Sequence, residues 1–233
     1  MRFGVLAPMP SELRPVAKAF GLTKGRSGRL EGHVGTAGAH DVVATTTGIG
    51  IDLATQAANR MIDQGEVDHV VVVGIAGGLG PTAPVGALII PEAVEDWPDG
   101  MPHEPAPLGR LTNKGIIVSS DEYGYDPEVI TAMLDCGVVA VDMETVAVAK
   151  VCAERGVPWS AVRAISDPAE GETVDPAVLT LVKPDGTPDM GKSVRYMLRH
   201  PGKIPGLLAM GRDATAAAKL AAQTAAKACA EHA

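Results

Sequence analysis

The sequence predicts an α/β protein, and three observations point there. Short apolar runs such as Arg2–Ala7 and the four valines within His69–Val73 read as buried strands, the valine run as a central one. Longer segments with helical spacing, about Asp52–Gln64 and Glu144–Arg155, lie between such runs. Carboxylates fall where strands end, as at Asp142 and Asp167, and the carboxyl ends of strands are where open α/β sheets present ligand groups. A chain of 233 residues suits one α/β unit, with no repeat or interdomain linker, so a single domain over 1–233 is expected.

Taken in order, Arg2–Ala7 is an apolar strand broken by Pro8-Met9-Pro10. Ser11 is placed to cap a helix reaching about Phe20, with Glu12 in its first turn, where the helix dipole favours an acid. Gly21–Gly28 reads as a basic, glycine-rich turn. Glu31–Thr36 and Asp41–Thr46 read as a strand pair around Ala37-Gly38-Ala39, with His33 and His40 structural. Thr47-Gly48-Ile49-Gly50 opens a helix, and glycines there can cradle an anion on free N–H groups. A dinucleotide fingerprint needs a third glycine where Leu53 stands. The central strand feeds Gly74-Ile75-Ala76-Gly77-Gly78-Leu79, and Pro81 and Pro84 keep a helix from starting, which excludes phosphate and dinucleotide loops of the usual kind. Gly86–Pro91 is a strand, Glu92–Leu108 an irregular loop with several prolines, and Gly115–Ser119 a strand. A helix follows Asp126-Pro127, and Asp142 caps the one from Glu144 to Arg155, which Gly156 ends. Trp159–Ile165 is a strand ending in Ser-Asp-Pro. The polar 170–189 stretch reads as a loop, Ser193–His200 as a short helix, and Pro205 onward as a long Ala-rich helix.

Composition narrows the partners. Hydrophobic residues make up 46% but aromatics only 3%, so aliphatic side chains must fill the core. A net charge of −8 argues against nucleic acid and against anionic membrane surfaces. The apolar run after Arg2 stops at Pro8, short of a signal-peptide core, and no stretch reaches transmembrane length. Three cysteines at no metal-ligand spacing read as reduced thiols of a cytoplasmic protein; no metal or cofactor is expected.

Four segments together carry a resemblance. Met9-Pro10-Ser11-Glu12-Leu13, Val73-Gly74-Ile75-Ala76-Gly77-Gly78-Leu79, Val141-Asp142-Met143-Glu144-Thr145 and Arg163-Ala164-Ile165-Ser166-Asp167 resemble, in order and rough spacing, the motifs of purine nucleoside phosphorylases and nucleosidases. The branch they look most like is the methylthioadenosine/S-adenosylhomocysteine nucleosidases, over residues 1 to about 168. The resemblance implies a single-domain three-layer α/β/α fold with a central mixed, twisted, partly barrel-like sheet. It implies a homodimer or larger assembly acting on a small purine nucleoside.

It also assigns roles. Asp167 would be the general acid to the purine and Glu12 the base that activates water. Glu144 would hold the ribose hydroxyls, with Met143 packed on the sugar and Asp142 and Ser166 beside it. Ile75, Ala76 and Gly77 would floor the base and sugar. Tyr123 falls where an aromatic covers the purine, with a surface tyrosine the equal alternative. A protonated Asp167 can donate at N7 and accept from a 6-amino group, which favours adenine over hypoxanthine. Phosphorylases of the family hold phosphate with arginines, one just before the glycine turn, and with a hydroxyl inside it; here Val71-Val72-Val73 and Ile75 stand there, which favours water. Arg26, Arg29 and Arg163 keep a phosphorylase as the alternative. Ile75 replaces the serine usual in nucleosidases, which keeps a futalosine- or adenosyl-lipid-type substrate open. A catalytically silent nucleoside-binding protein is the contrasting reading, for which both Glu12 and Asp167 would be superfluous.

Overall fold

A computed structural model describes residues 1–98, 100–121, 126–169, 183, 187 and 189–232. The valine run governs the architecture. It lies in β5 (His69–Gly78), and its alternate side chains enter two different cores. Val70 and Val72 face α2 (Ile51–Gly65) and α4 (Thr145–Arg155), packing with Ala54, Ala57, Met61, Val148 and Cys152. Val71 and Val73 face α1 (Pro10–Ala19) and a long helix, α6 (Ile204–Ala230), packing with Val16, Ala221, Ala225 and Cys229. Alternation along an extended chain sends successive side chains to opposite faces, so one buried run builds both outer layers. The result is a three-layer α/β/α arrangement.

The sheet is mixed. β1 (Arg2–Ala7) lies parallel between β4 (His40–Thr46) and β5, and β3 (Leu30–Ala37) joins β4 antiparallel. β10 (Trp159–Pro168) runs parallel to β5 along its whole length, and the two-residue β6 (Leu88–Ile89) pairs with β10. Beyond β5 come β9 (Val138–Asp142), β8 (Ile116–Ser119) and β7 (Ala93–Asp96). With β2 (Thr23–Ser27) at the edge, the order β2-β3-β4-β1-β5-β9-β8-β7, with β10 branching from β5 and β6 from β10, leaves the sheet open. α3 (Pro127–Asp135) packs Ile130 and Met133 on Val118 and Val138, and α5 (Met190–Arg199) precedes α6.

Three local expectations change. The first helix starts at Pro10, with Met9 at its cap position, because proline's fixed φ suits the first helical residue; Ser11 is already inside. The expected turn at Gly21–Gly28 contains a strand, β2 (Thr23–Ser27), held by backbone bonds to β3, not by an apolar pattern. The expected loop at Glu92–Leu108 contains β7, whose pairing with β8 is invisible locally. The 170–189 loop falls mostly outside the described residues. Among the described residues, no helix is long and apolar enough to cross a membrane.

Candidate active site

The site lies where β5 changes neighbours. β1 pairs with β5 only through Val72, and β9 takes up the same edge, antiparallel, at Gly77 and Gly78. Between them that edge has no strand beside it. Backbone groups there still need partners, and side chains supply them. Glu12 Oε1 accepts the Ile75 N–H at 2.8 Å, and Arg163 Nη1 donates to the Ile75 carbonyl at 3.3 Å. The crevice at such a change of strand order is where open α/β sheets hold ligands.

Glu12 arrives from the first turn of α1. Its Oε2 accepts the Met9 N–H at 2.9 Å, so the carboxylate closes its own helix start while reaching over to β5. It is 2% exposed. Gly74 makes room for it: a Cβ there would lie 2.3 Å from Glu12 Oε1 and 2.6 Å from Arg163 Nη1. Those two distances also place the carboxylate and the guanidinium against the same small space.

Arg163 is the hub. It is wholly buried within β10, and an uncompensated guanidinium there would be prohibitive. Nη2 approaches Asp142 Oδ2 at 2.9 Å and Glu144 Oε2 at 3.4 Å, and Nε and Nη2 donate to Thr145 Oγ1 at 3.1 and 2.8 Å. Asp142 sits at the end of β9 and is spent on the protein itself. Its Oδ1 accepts from Ser119 Oγ at 2.6 Å and from the N–H groups of Glu144 and Thr145 at 3.1 Å, and the Thr145 hydroxyl donates to Oδ2. The cap position of α4, expected at Asp142, is Glu144, and Asp142 reaches the first helical N–H, of Thr145, from two residues before that cap. Both oxygens of Asp142, expected beside the sugar, have partners within the protein.

Glu144 follows two residues later, 5% exposed. Its Oε1 accepts the Gly50 N–H at 3.2 Å, at the start of α2. The anion cradle expected at Gly48–Gly50 is therefore filled from within. The next N–H, of Ile51, goes to Asp121 Oδ1 at 2.9 Å.

Burial dominates the titration of these acids. It pushes Glu12 up to about 7, against the attraction of Arg163 and the N–H bonds from Ile75 and Met9. It pushes Glu144 up to about 8, against Arg163, and the negative charges of Asp142 and Glu12 add to the rise. The attraction of one shared cation does not offset the desolvation of Glu12 and Glu144.

Asp167 stands at the far end of β10, opposite Gly77 across the strand pair and partly buried. Burial raises its pKa, with the Ser166 hydroxyl bond opposing. Ser166 is buried and also donates to the Ala76 carbonyl at 3.4 Å. Ile75 is half-buried, its side chain packed against the α1–α6 core. Met143 is half-buried between Asp142 and Glu144, and Tyr123 lies outside the described residues. Of the other arginines considered for phosphate, Arg26 is paired with Glu31 on the β2–β3 hairpin and Arg29 is exposed beside it. No cluster with metal-binding composition occurs among the described residues.

Arg163, Thr145 and Ser119 are what the sequence reading undervalued. A signal existed for the first: an arginine inside the apolar Trp159–Ile165 run has to be paired within the protein.

A mixed α/β sheet thus gathers acid side chains about a buried arginine at the point where strands part. A family model described as the phosphorylase superfamily matches residues 2–133 and 106–187, and the chain belongs to that family. Curated relatives include a 5′-methylthioadenosine/S-adenosylhomocysteine nucleosidase of Tolumonas auensis, 26% identical over 74% of this chain and 89% of its own length. One from Shewanella sp. (strain W3-18-1) is 28% identical over 74% and 88%. Among solved structures, the nucleosidase of that name from S. pneumoniae, with a transition-state inhibitor, superposes with a TM-score of 0.71 at 20% identity, covering 98% of this chain and 99% of its own. Futalosine hydrolase of Helicobacter pylori gives 0.70 at 18%, covering 96% and 94%.

Proposed function

We propose that the protein hydrolyses the N-glycosidic bond of a purine nucleoside, with adenine as the base. The observation that carries this reading is the convergence of Glu12 and Glu144 on Arg163 in the gap along β5, with Asp167 at the end of the neighbouring strand. Curated relatives named as nucleosidases support it.

Departure of a purine leaves positive charge on the sugar and negative charge on the base. Asp167, whose partial burial favours its protonated form, gives its proton to N7, and the base leaves neutral. Glu12, once ionised, takes a proton from water as the oxygen bonds to the anomeric carbon. The N–H groups of Met9 and Ile75 fix its two oxygens, so the base is oriented before water arrives. Glu144 receives the 2′ and 3′ hydroxyls, and once ionised its charge favours the cationic sugar.

Water is the nucleophile on two grounds. The α2 N-terminus already serves Glu144 and Asp121, and Arg163 already serves Asp142 and Glu144. A phosphate dianion would have to displace these carboxylates or lie beside them.

Purified protein incubated with adenosine, 5′-methylthioadenosine and inosine, with and without phosphate, tests the reading. Adenine released without phosphate is expected. Release only with phosphate would make it a phosphorylase, and tight binding without turnover a binding protein. Asp167→Ala is expected to lower kcat by about 100-fold or more while leaving the fold intact; near-normal turnover would remove Asp167 from the acid role.

A further inference from the structure

We propose that Asp121 is a positioning residue for Glu144, acting through the start of α2; this rests on the ribose-holding role given to Glu144 above. α2 opens at Gly50 with no side-chain cap of its own. A helix start carries unpaired N–H groups and a partial positive charge, and both attract carboxylates. Two respond. Glu144 takes the Gly50 N–H at 3.2 Å, and Asp121 takes the Ile51 N–H at 2.9 Å.

The two acids reach this spot by the same route. Ser119 of β8 and Asp142 of β9 are register partners at the ends of parallel strands. Their side chains are bonded at 2.6 Å, and the Ser120 N–H donates to the Asp142 carbonyl at 3.0 Å. Each chain then runs on two residues, to Asp121 and to Glu144. One strand pair thus delivers both carboxylates to one helix end.

Their bonds lie on successive N–H groups. Asp121 is exposed, and the Ile51 bond is short. Glu144 is buried, and its Gly50 bond is longer. With Asp121 in place, Glu144 needs to give the helix only one oxygen, and the other stays toward Arg163 and the proposed sugar site. Without it, the orphaned Ile51 N–H lies next to Glu144 and draws its carboxylate toward a capping position. Gly50 tightens the arrangement: its φ is +99°, and a Cβ would come within 2.9 Å of Asp121 Oδ1.

The test measures adenine release from 5′-methylthioadenosine by four proteins: wild type, Asp121→Ala, Asp121→Asn and Asp121→Ala/Glu144→Gln. Asp121→Ala is expected to lose roughly 10- to 100-fold in kcat/KM, the scale of a misplaced catalytic contact. Asp121→Asn keeps an acceptor for Ile51 and is expected within about threefold of wild type. In the Glu144→Gln background the alanine change should cost almost nothing further, since residues acting as a unit are not additive. A purely structural role would instead lower Tm and add its loss in both backgrounds. A wild type that releases no adenine overturns the proposed reaction and this role with it. An active wild type whose Asp121→Ala variant retains kcat/KM, or whose losses add, overturns the positioning role alone.

Discussion

Arg163→Met is the most demanding perturbation of this structure. Methionine fills much of the arginine stem's volume, so the change removes chiefly charge and hydrogen bonds. Left behind are Asp142 and Glu144, 8% and 5% exposed, without their cation, and a Thr145 hydroxyl without its donor. Removing one member of a buried ion pair costs about 3–5 kcal/mol. For a chain of this size each kcal/mol moves Tm by about 2–4 °C, so a fall of roughly 6–20 °C is expected. The loss depends on pH. At pH 8.5 the stranded Glu144 is pressed to ionise; near pH 5.5 it binds a proton and the penalty shrinks. Thermal unfolding of wild type and variant at both pH values, followed by circular dichroism, makes the comparison. A second variant, Arg163→Met/Glu144→Gln, should recover part of the loss at pH 8.5. A fall below about 2 °C at pH 8.5, or an equal fall at both pH values, would refute the claim that this guanidinium balances the buried carboxylates.

Other consequences can be measured alongside. Gly74→Ala sets a methyl group against Glu12 Oε1 and Arg163 Nη1; steady-state kinetics should show kcat reduced by about tenfold or more, with a stability cost of about 1–3 kcal/mol from overpacking. Glu12 and Glu144 have folded pKa values of about 7 and 8, raised by burial above 4.5. The folded state therefore holds protons that the unfolded chain has released, and stability present below pH 4.5 is lost as pH rises toward 8. Urea midpoints should accordingly fall between pH 5.5 and 8.5, and the fall should be smaller in Glu12→Gln. If Glu12 is the base, kcat/KM should climb through about pH 7 as it ionises, and that limb should be missing from the pH profile of Glu12→Gln.

Much of the layering was legible along the chain. Val70–Val73 alternate between two cores because β geometry sends neighbours to opposite faces, and that rule needs no tertiary information. Glu144 before an apolar helix and Asp167 after an apolar strand were legible for the same reason, since carboxylates beside buried segments demand an explanation. Local pattern was silent where pairing alone makes the strand. β2 and β7 have little apolar signature and exist through bonds to partners the chain reaches elsewhere.

The sequence by itself determined which chemical groups this protein commits to buried positions and in which layers its helices and strands lie, because those follow from side-chain periodicity. Only the tertiary structure decided that β1 leaves β5 after Val72 and β9 joins it at Gly77, opening an edge that Glu12 and Arg163 complete. It also decided that the glycine turn before α2 closes on Glu144 and Asp121. The reason is distance along the chain: hydrogen bonds between side chains and backbone groups 63 to 94 positions apart leave no trace in any local window, yet they determine where these side chains point.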